Sequence, residues 1–177
     1  MALTITLPRE KNIFSAVAEL ARAFPELTVV YPVHPAPAVR EAARSVLGEI
    51  GNVLLTEPLG AVDMHKLMAR SYLVLTDSGG LQEEAPALGK PVLVLRRETE
   101  RPEAIEAGTA ALAGTEREAI FRLASALLTE NAKYEAMARA VNPYGDGRAC
   151  ARIADALAHG FGLRETPPEE FDRVSGI

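Results

Sequence analysis

Along this chain, short apolar runs alternate with longer stretches in which apolar residues recur every three or four positions. "ALTITL", "LTVVYPV", "NVLL", "YLVLT" and "PVLVL" read as strands. Between them, "NIFSAVAELARAF" sets Ile13, Val17, Leu20 and Ala21 at helical spacing, and "PAVREAARSVLGEI" is an amphipathic helix closed by Gly51. "AVDMHKLMARS" and "GLQEEAPAL" are helical, and after a short apolar stretch near Leu112 two long helical patterns run through Leu157. Strands alternating with helices of this length indicate βαβ units around a parallel sheet. "LVLT" and "PVLVL" are apolar without alternation, as strands covered on both faces are. The expected architecture is a doubly wound α/β domain over residues 1–164, followed by a polar C-terminal tail over 165–177.

Composition narrows the function. A net charge of −5 argues against nucleic acid and anionic membranes as partners. Cys150 is the single cysteine, so no disulfide closes within the chain, and His34, His65 and His159 are scattered rather than spaced for a metal. No apolar stretch is long enough to cross a bilayer, and "MALTITLPREKN" lacks a signal peptide's apolar core. These features predict a cytoplasmic protein with no metal site.

"TDSGG", residues 76–80, stands where a strand ends and a helix begins. Ligands of open α/β sheets bind beyond the carboxyl ends of the strands. The first amides of a helix lack partners and carry partial positive charge. Gly79 and Gly80 would let a phosphate approach that backbone, and the hydroxyls of Thr76 and Ser78 could add donors. Glu84, one turn beyond Gly80, could accept from vicinal ribose hydroxyls. Asp-Ser-Gly-Gly is equally good turn and N-cap chemistry. Spacing alone leaves both readings open, and the G-x-G-x-x-G dinucleotide fingerprint is absent.

"TDSGGLQEEAPALGKPVLVLR", "ETERPEAIEAGT" and "NPYGDG", with "YPVHPAP" and "EPLG" before them, together resemble the C-terminal half of the non-hydrolysing UDP-N-acetylglucosamine 2-epimerases. The likeness runs from about Leu3 to Leu163. It implies a Rossmann-like domain of the glycosyltransferase-B kind, one of two that close on a UDP-sugar. The family exchanges UDP-N-acetylglucosamine and UDP-N-acetylmannosamine by eliminating UDP and adding it back, with no cofactor. By resemblance, Ser78, Gly79, Gly80 and Arg9 hold the diphosphate, Glu84 the ribose, and Pro58 and Leu59 lie beside uracil. Thr99 and Arg101 lie near the cleft, and His34 near an activating UDP-sugar site. Glu83 is expected to pack or face solvent, and "NPYGDG" to be structural.

The same resemblance sets limits. No catalytic residue is expected here, because the carboxylates that move the C2 proton belong to the family's N-terminal domain. Where the family has a histidine near the phosphates, this chain has Pro8, which supplies no donor. The expected partners are UDP or a UDP-N-acetylhexosamine, the missing N-terminal domain and, as a candidate assembly, a second copy in a homodimer. Apolar surface is expected around Phe161, Leu163 and Phe171. The alternative is a stand-alone, non-catalytic UDP-sugar-binding module. A glycosyltransferase would need an acceptor domain.

Overall fold

A computed structural model describes residues 2–6 and 11–171. Six strands, β1 (Ala2–Thr6), β2 (Thr28–Pro32), β3 (Val53–Thr56), β4 (Leu73–Thr76), β5 (Val92–Val94) and β6 (Ala110–Leu112), form one sheet. All pairings are parallel, in the order β3-β2-β1-β4-β5-β6. That order is the doubly wound Rossmann arrangement, and the direction of winding reverses between β1 and β4. The expected fold class is therefore observed.

The helices are α1 (Lys11–Ala23), α2 (Pro37–Leu47), α3 (Ala61–Arg70), α4 (Gly79–Ala87), α5 (Pro102–Glu106), α6 (Arg117–Thr129), α7 (Asn131–Ala138) and α8 (Ala149–Gly160). Successive strand residues point to opposite faces, and the core divides accordingly. Leu73, Leu75, Leu93 and Leu95 join Phe14, Val17, Leu20, Leu47 and Ile120 beneath α1, α2 and α6. Val74, Val92 and Val94 join Met68, Leu81, Ala85 and Ala104 beneath α3, α4 and α5. This two-sided burial is why β4 and β5 are buried at every position and apolar at all but Thr76.

Two expectations about the helices need correction. α2 ends at Leu47, with Gly48 as its C-cap in ordinary helical conformation, so Gly51 lies beyond the helix end. The two long C-terminal patterns are three helices. α6 buries Ile120, Ala124 and Leu127, and the next position on that stripe is polar Asn131. At Glu130 the backbone turns extended (φ −107°, ψ 90°), and α7 leaves the core with no buried residue.

α8 also buries none of its residues. Arg152 anchors its start, donating to both oxygens of Asp146 at 2.7 and 2.8 Å and to the Glu169 carbonyl at 3.1 Å. The guanidinium also lies 5.6 Å from the Phe171 ring centroid. Phe161 and Leu163 are exposed as expected, at 78% and 82%. Phe171 is half-buried beneath Arg152 instead.

Candidate functional site

Only Asp77 and Ser78 separate β4 from α4. The turn closes because the Ser78 N–H donates to Thr76 Oγ1 at 2.9 Å, a short hydroxyl-to-backbone bond that starts a helix at once. Thr76 is wholly buried, so its oxygen holds the turn rather than facing a ligand. Ser78 is the N-cap, extended at φ −82° and ψ 127°, yet its side chain makes no capping bond. The opening amides of α4 are thus left without the hydroxyl that commonly covers one of them, at the positive end of the helix.

Gly79 and Gly80 have helical backbones, so backbone freedom explains neither, and only Gly79 is short of space. A Cβ at Gly79 would lie 2.7 Å from Glu100 Oε1, closer than packed atoms allow. A Cβ at Gly80 would meet nothing nearer than Glu84 Oε1 at 3.7 Å. One turn along, Glu84 Oε2 sits 2.9 Å from His65 Nε2 on α3.

A second loop, between β5 and α5, is tied to the first. Gln82, 0% exposed, accepts from Thr99 Oγ1 at 2.6 Å through its side-chain oxygen. Its amide nitrogen donates to the Ser78 carbonyl at 3.4 Å. Thr99 Oγ1 in turn accepts from the Arg101 N–H at 3.0 Å. Arg101 pairs with Glu83, and Arg96 with Glu100. Glu83 is therefore no bystander, as it holds the cleft arginine.

Charge follows this geometry. The Glu100 carboxyl is held below its ordinary range by its own backbone amide, and by Arg96 and Arg101. Arg101 is pushed up by the hydrogen bond to Glu83. Asp77 is raised by burial, against the pull of its own amide, Arg96 and His34. Tyr31, buried on β2 with its ring 5.9 Å from Phe14, is pushed up to about 12 by burial and by Asp77.

Of the residues singled out in the sequence, Ser78, Gly79, Gly80, Glu84, Thr99 and Arg101 come together. Pro58 and Leu59 are exposed after β3. In the sheet they are three strands from β4, roughly 14 Å at the usual strand spacing. α3 carries that segment back, since His65 on its second turn reaches Glu84. His34 is exposed, and its Nδ1 accepts from the Ala36 N–H at 3.2 Å, shaping the entry to α2. Arg9 and Pro8 lie outside the described residues.

In "NPYGDG", Asn142 accepts from the Tyr144 N–H at 3.2 Å and donates to the Gly145 carbonyl at 3.3 Å. This turn walls a cleft of about 600 Å³ that Glu84 and His65 border from the other side.

Gln82, Arg96, Glu100 and His65 escaped the sequence reading. Gln82 alone left a local signal, a polar residue one turn from Ser78 on the face of α4 that meets the core. As the site stands, Glu83, Glu84 and Glu100 each face a basic side chain. Among the described residues no cluster suits a metal ion, and no helix is long and apolar enough to cross a membrane. Uncovered amides, two arginines and a carboxylate one turn away form an arrangement for holding an anionic ligand that bears hydroxyls.

Strand order and a glycine-bearing loop at the reversal define a Rossmann-like domain with its site at the sheet's carboxyl edge. The family model of UDP-N-acetylglucosamine 2-epimerase matches residues 4–158. The chain belongs to that family, whose named members are isomerases. The Bacillus subtilis UDP-N-acetylglucosamine 2-epimerase is 52% identical over 161 residues, 91% of this chain and 42% of that protein. A crystal structure of a UDP-N-acetylglucosamine 2-epimerase superposes with TM-score 0.92 at 50% identity, over 97% of this chain and 46% of the other. MnaA of S. aureus, solved with UDP, superposes with TM-score 0.87 at 42% identity, over 97% and 48%. The chain thus spans less than half the length of these relatives.

Proposed function

We propose that this chain is the C-terminal, UDP-binding half of a UDP-N-acetylglucosamine 2-epimerase. The observation that carries the reading is the uncapped start of α4, where Ser78, Gly79 and Gly80 meet the loop of Thr99 and Arg101 with Glu84 one turn away. The diphosphate lies on the amides of that first turn, Ser78 donates its free hydroxyl, and Glu84 exchanges His65 for the ribose hydroxyls. Pro58 and Leu59, brought round by α3, flank the uracil. Bound UDP in the S. aureus relative supports a nucleotide in this fold.

In this reading the chain holds the leaving group and does not move the proton. Glu83, Glu84 and Glu100 are paired with Arg101, His65 and Arg96 at the nucleotide end, whereas general acid–base catalysis needs groups within reach of the proton at C2. Epimerase activity belongs to the two halves together, and this polypeptide alone is inactive.

Calorimetric titration of the chain with UDP tests the binding. Ser78→Ala and Glu84→Ala should each weaken it by about tenfold, the scale of a hydrogen bond to a charged group. Absence of binding to the folded chain, or equal binding by all three proteins, overturns the assignment. Turnover by the chain alone at enzymatic rates would overturn the division of labour.

A further inference from the structure

The chain doubles back after α8. Gly162 is left-handed at φ 69°, a conformation glycine adopts freely, and the Leu163 N–H closes the turn on the Ala158 carbonyl at 2.8 Å. Arg164 then pairs with Asp155. Further on, the Glu169 carbonyl accepts from Arg152 Nε at 3.1 Å, and the Glu169 carboxylate lies 3.3 Å from Arg148 Nη1. As the tail advances from 163 to 169, its helix partners retreat from 158 to 148, so it runs antiparallel to α8. Pro167 and Pro168 keep the stretch between these anchors extended. By their spacing, Arg148, Arg152 and Asp155 share one face of α8. The tail takes that polar face and leaves Ile153 and Leu157 bare. Its last described residue, Phe171, lies under the Arg152 guanidinium and lines the cleft with Cys150 and Arg152, while His65 and Glu84 border it from the other side.

We propose that residues 164–171 are a strap that covers one side of this cleft and opens when an ionic clasp is released. Arg152 and Asp146 are only 18% and 20% exposed, and their pairing holds the start of α8 with or without the tail. The clasp itself is different. Arg148 and Glu169 are 59% and 68% exposed, and Arg164 and Asp155 are 39% and 41% exposed, so both are weak pairs that salt screens. No residue of 164–171 is fully buried, and the one apolar hold is Phe171 against the face of a single guanidinium. Rising ionic strength therefore frees the strap without unfolding the domain, and Phe171 leaves the cleft.

Two reporters test the strap. The sequence holds no tryptophan, so Phe171→Trp reads the position of the tail by its own emission. Cys150, the single cysteine and exposed, reads the cleft by its rate of exchange with dithiodipyridine, an uncharged aromatic disulfide. At low salt, Phe171→Ala and a chain ended at Leu163 should exchange about threefold faster than wild type, the scale on which an exposed ion pair shifts an equilibrium. In about 1 M sodium chloride, where the screening length is about 3 Å, wild type should approach both variants. The tryptophan emission should shift to the red over the same range. Equal exchange by all three proteins at low salt overturns the proposal, and so does an emission that salt leaves in place. Faster exchange with a loss of helical circular dichroism in Phe171→Ala also overturns it, because the tail would then be a stabiliser of α8 and not a strap.

Discussion

Tyr31 and Gln82 are both fully buried, but their polar atoms are treated differently. The Tyr31 hydroxyl has no hydrogen-bond partner among the described residues, and burial pushes its pKa up to about 12. The unfolded chain ionises near pH 10, so stability from Tyr31 is complete below that pH and lost as pH rises towards 12. The loss is about 3 kcal/mol. Tyr31→Phe should be no less stable at pH 7 and should lessen the alkaline fall in urea unfolding. Tyr72, Tyr134 and Tyr144 shift the same way, so some fall remains. Gln82→Ala, by contrast, strands the buried end of the Thr99 hydroxyl, while the Ser78 carbonyl keeps the backbone N–H of residue 82, and should cost about 1–2 kcal/mol in the same measurement. What sequence alone could not supply is visible here. The glycines announced a close approach, but the approaching group, Glu100, arrives from a different loop through tertiary structure.

At the scale of elements, glycines with similar sequence roles behave differently. Gly89 ends the α4 segment at φ 65°, the left-handed conformation that side chains resist. Gly51 has no such angle and nothing within 4 Å of a Cβ. Gly89→Ala should therefore cost about 1–2 kcal/mol, and Gly51→Ala should be neutral or stabilising by up to about 1 kcal/mol. Thermal unfolding of the pair distinguishes them. The strands and most helices were legible because two-sided burial wrote itself into the runs at 73–76 and 92–94. The break between α6 and α7 was not, because no glycine or proline marks it. Only the polar Asn131 on an otherwise apolar stripe signals that α7 packs at the margin of the core, through Met137 and Tyr134, and buries no residue fully.

For the whole molecule, the feature that matters is uncovered apolar surface. Ile153 and Leu157 on α8, with Phe161 and Leu163 after it, are all more than half exposed, and contiguous exposed apolar surface favours association. Sedimentation velocity should show mass rising with concentration. Phe161→Ser with Leu163→Ser should reduce that rise without lowering the melting temperature, since neither side chain is packed. An unchanged sedimentation profile in the double variant would place the contact elsewhere.

The strand order has a consequence for how the chain comes to be folded. β1 leads the chain but lies inside the sheet, between β2 and β4. On a ribosome, β1, α1, β2, α2 and β3 can assemble first, leaving one side of β1 bare until the Leu73–Thr76 strand has emerged to meet it. For that interval an apolar strand edge stands open, the kind of template on which neighbouring nascent chains pair wrongly. Any slowing of translation before the Leu73–Thr76 strand has left the ribosome would lengthen that exposure.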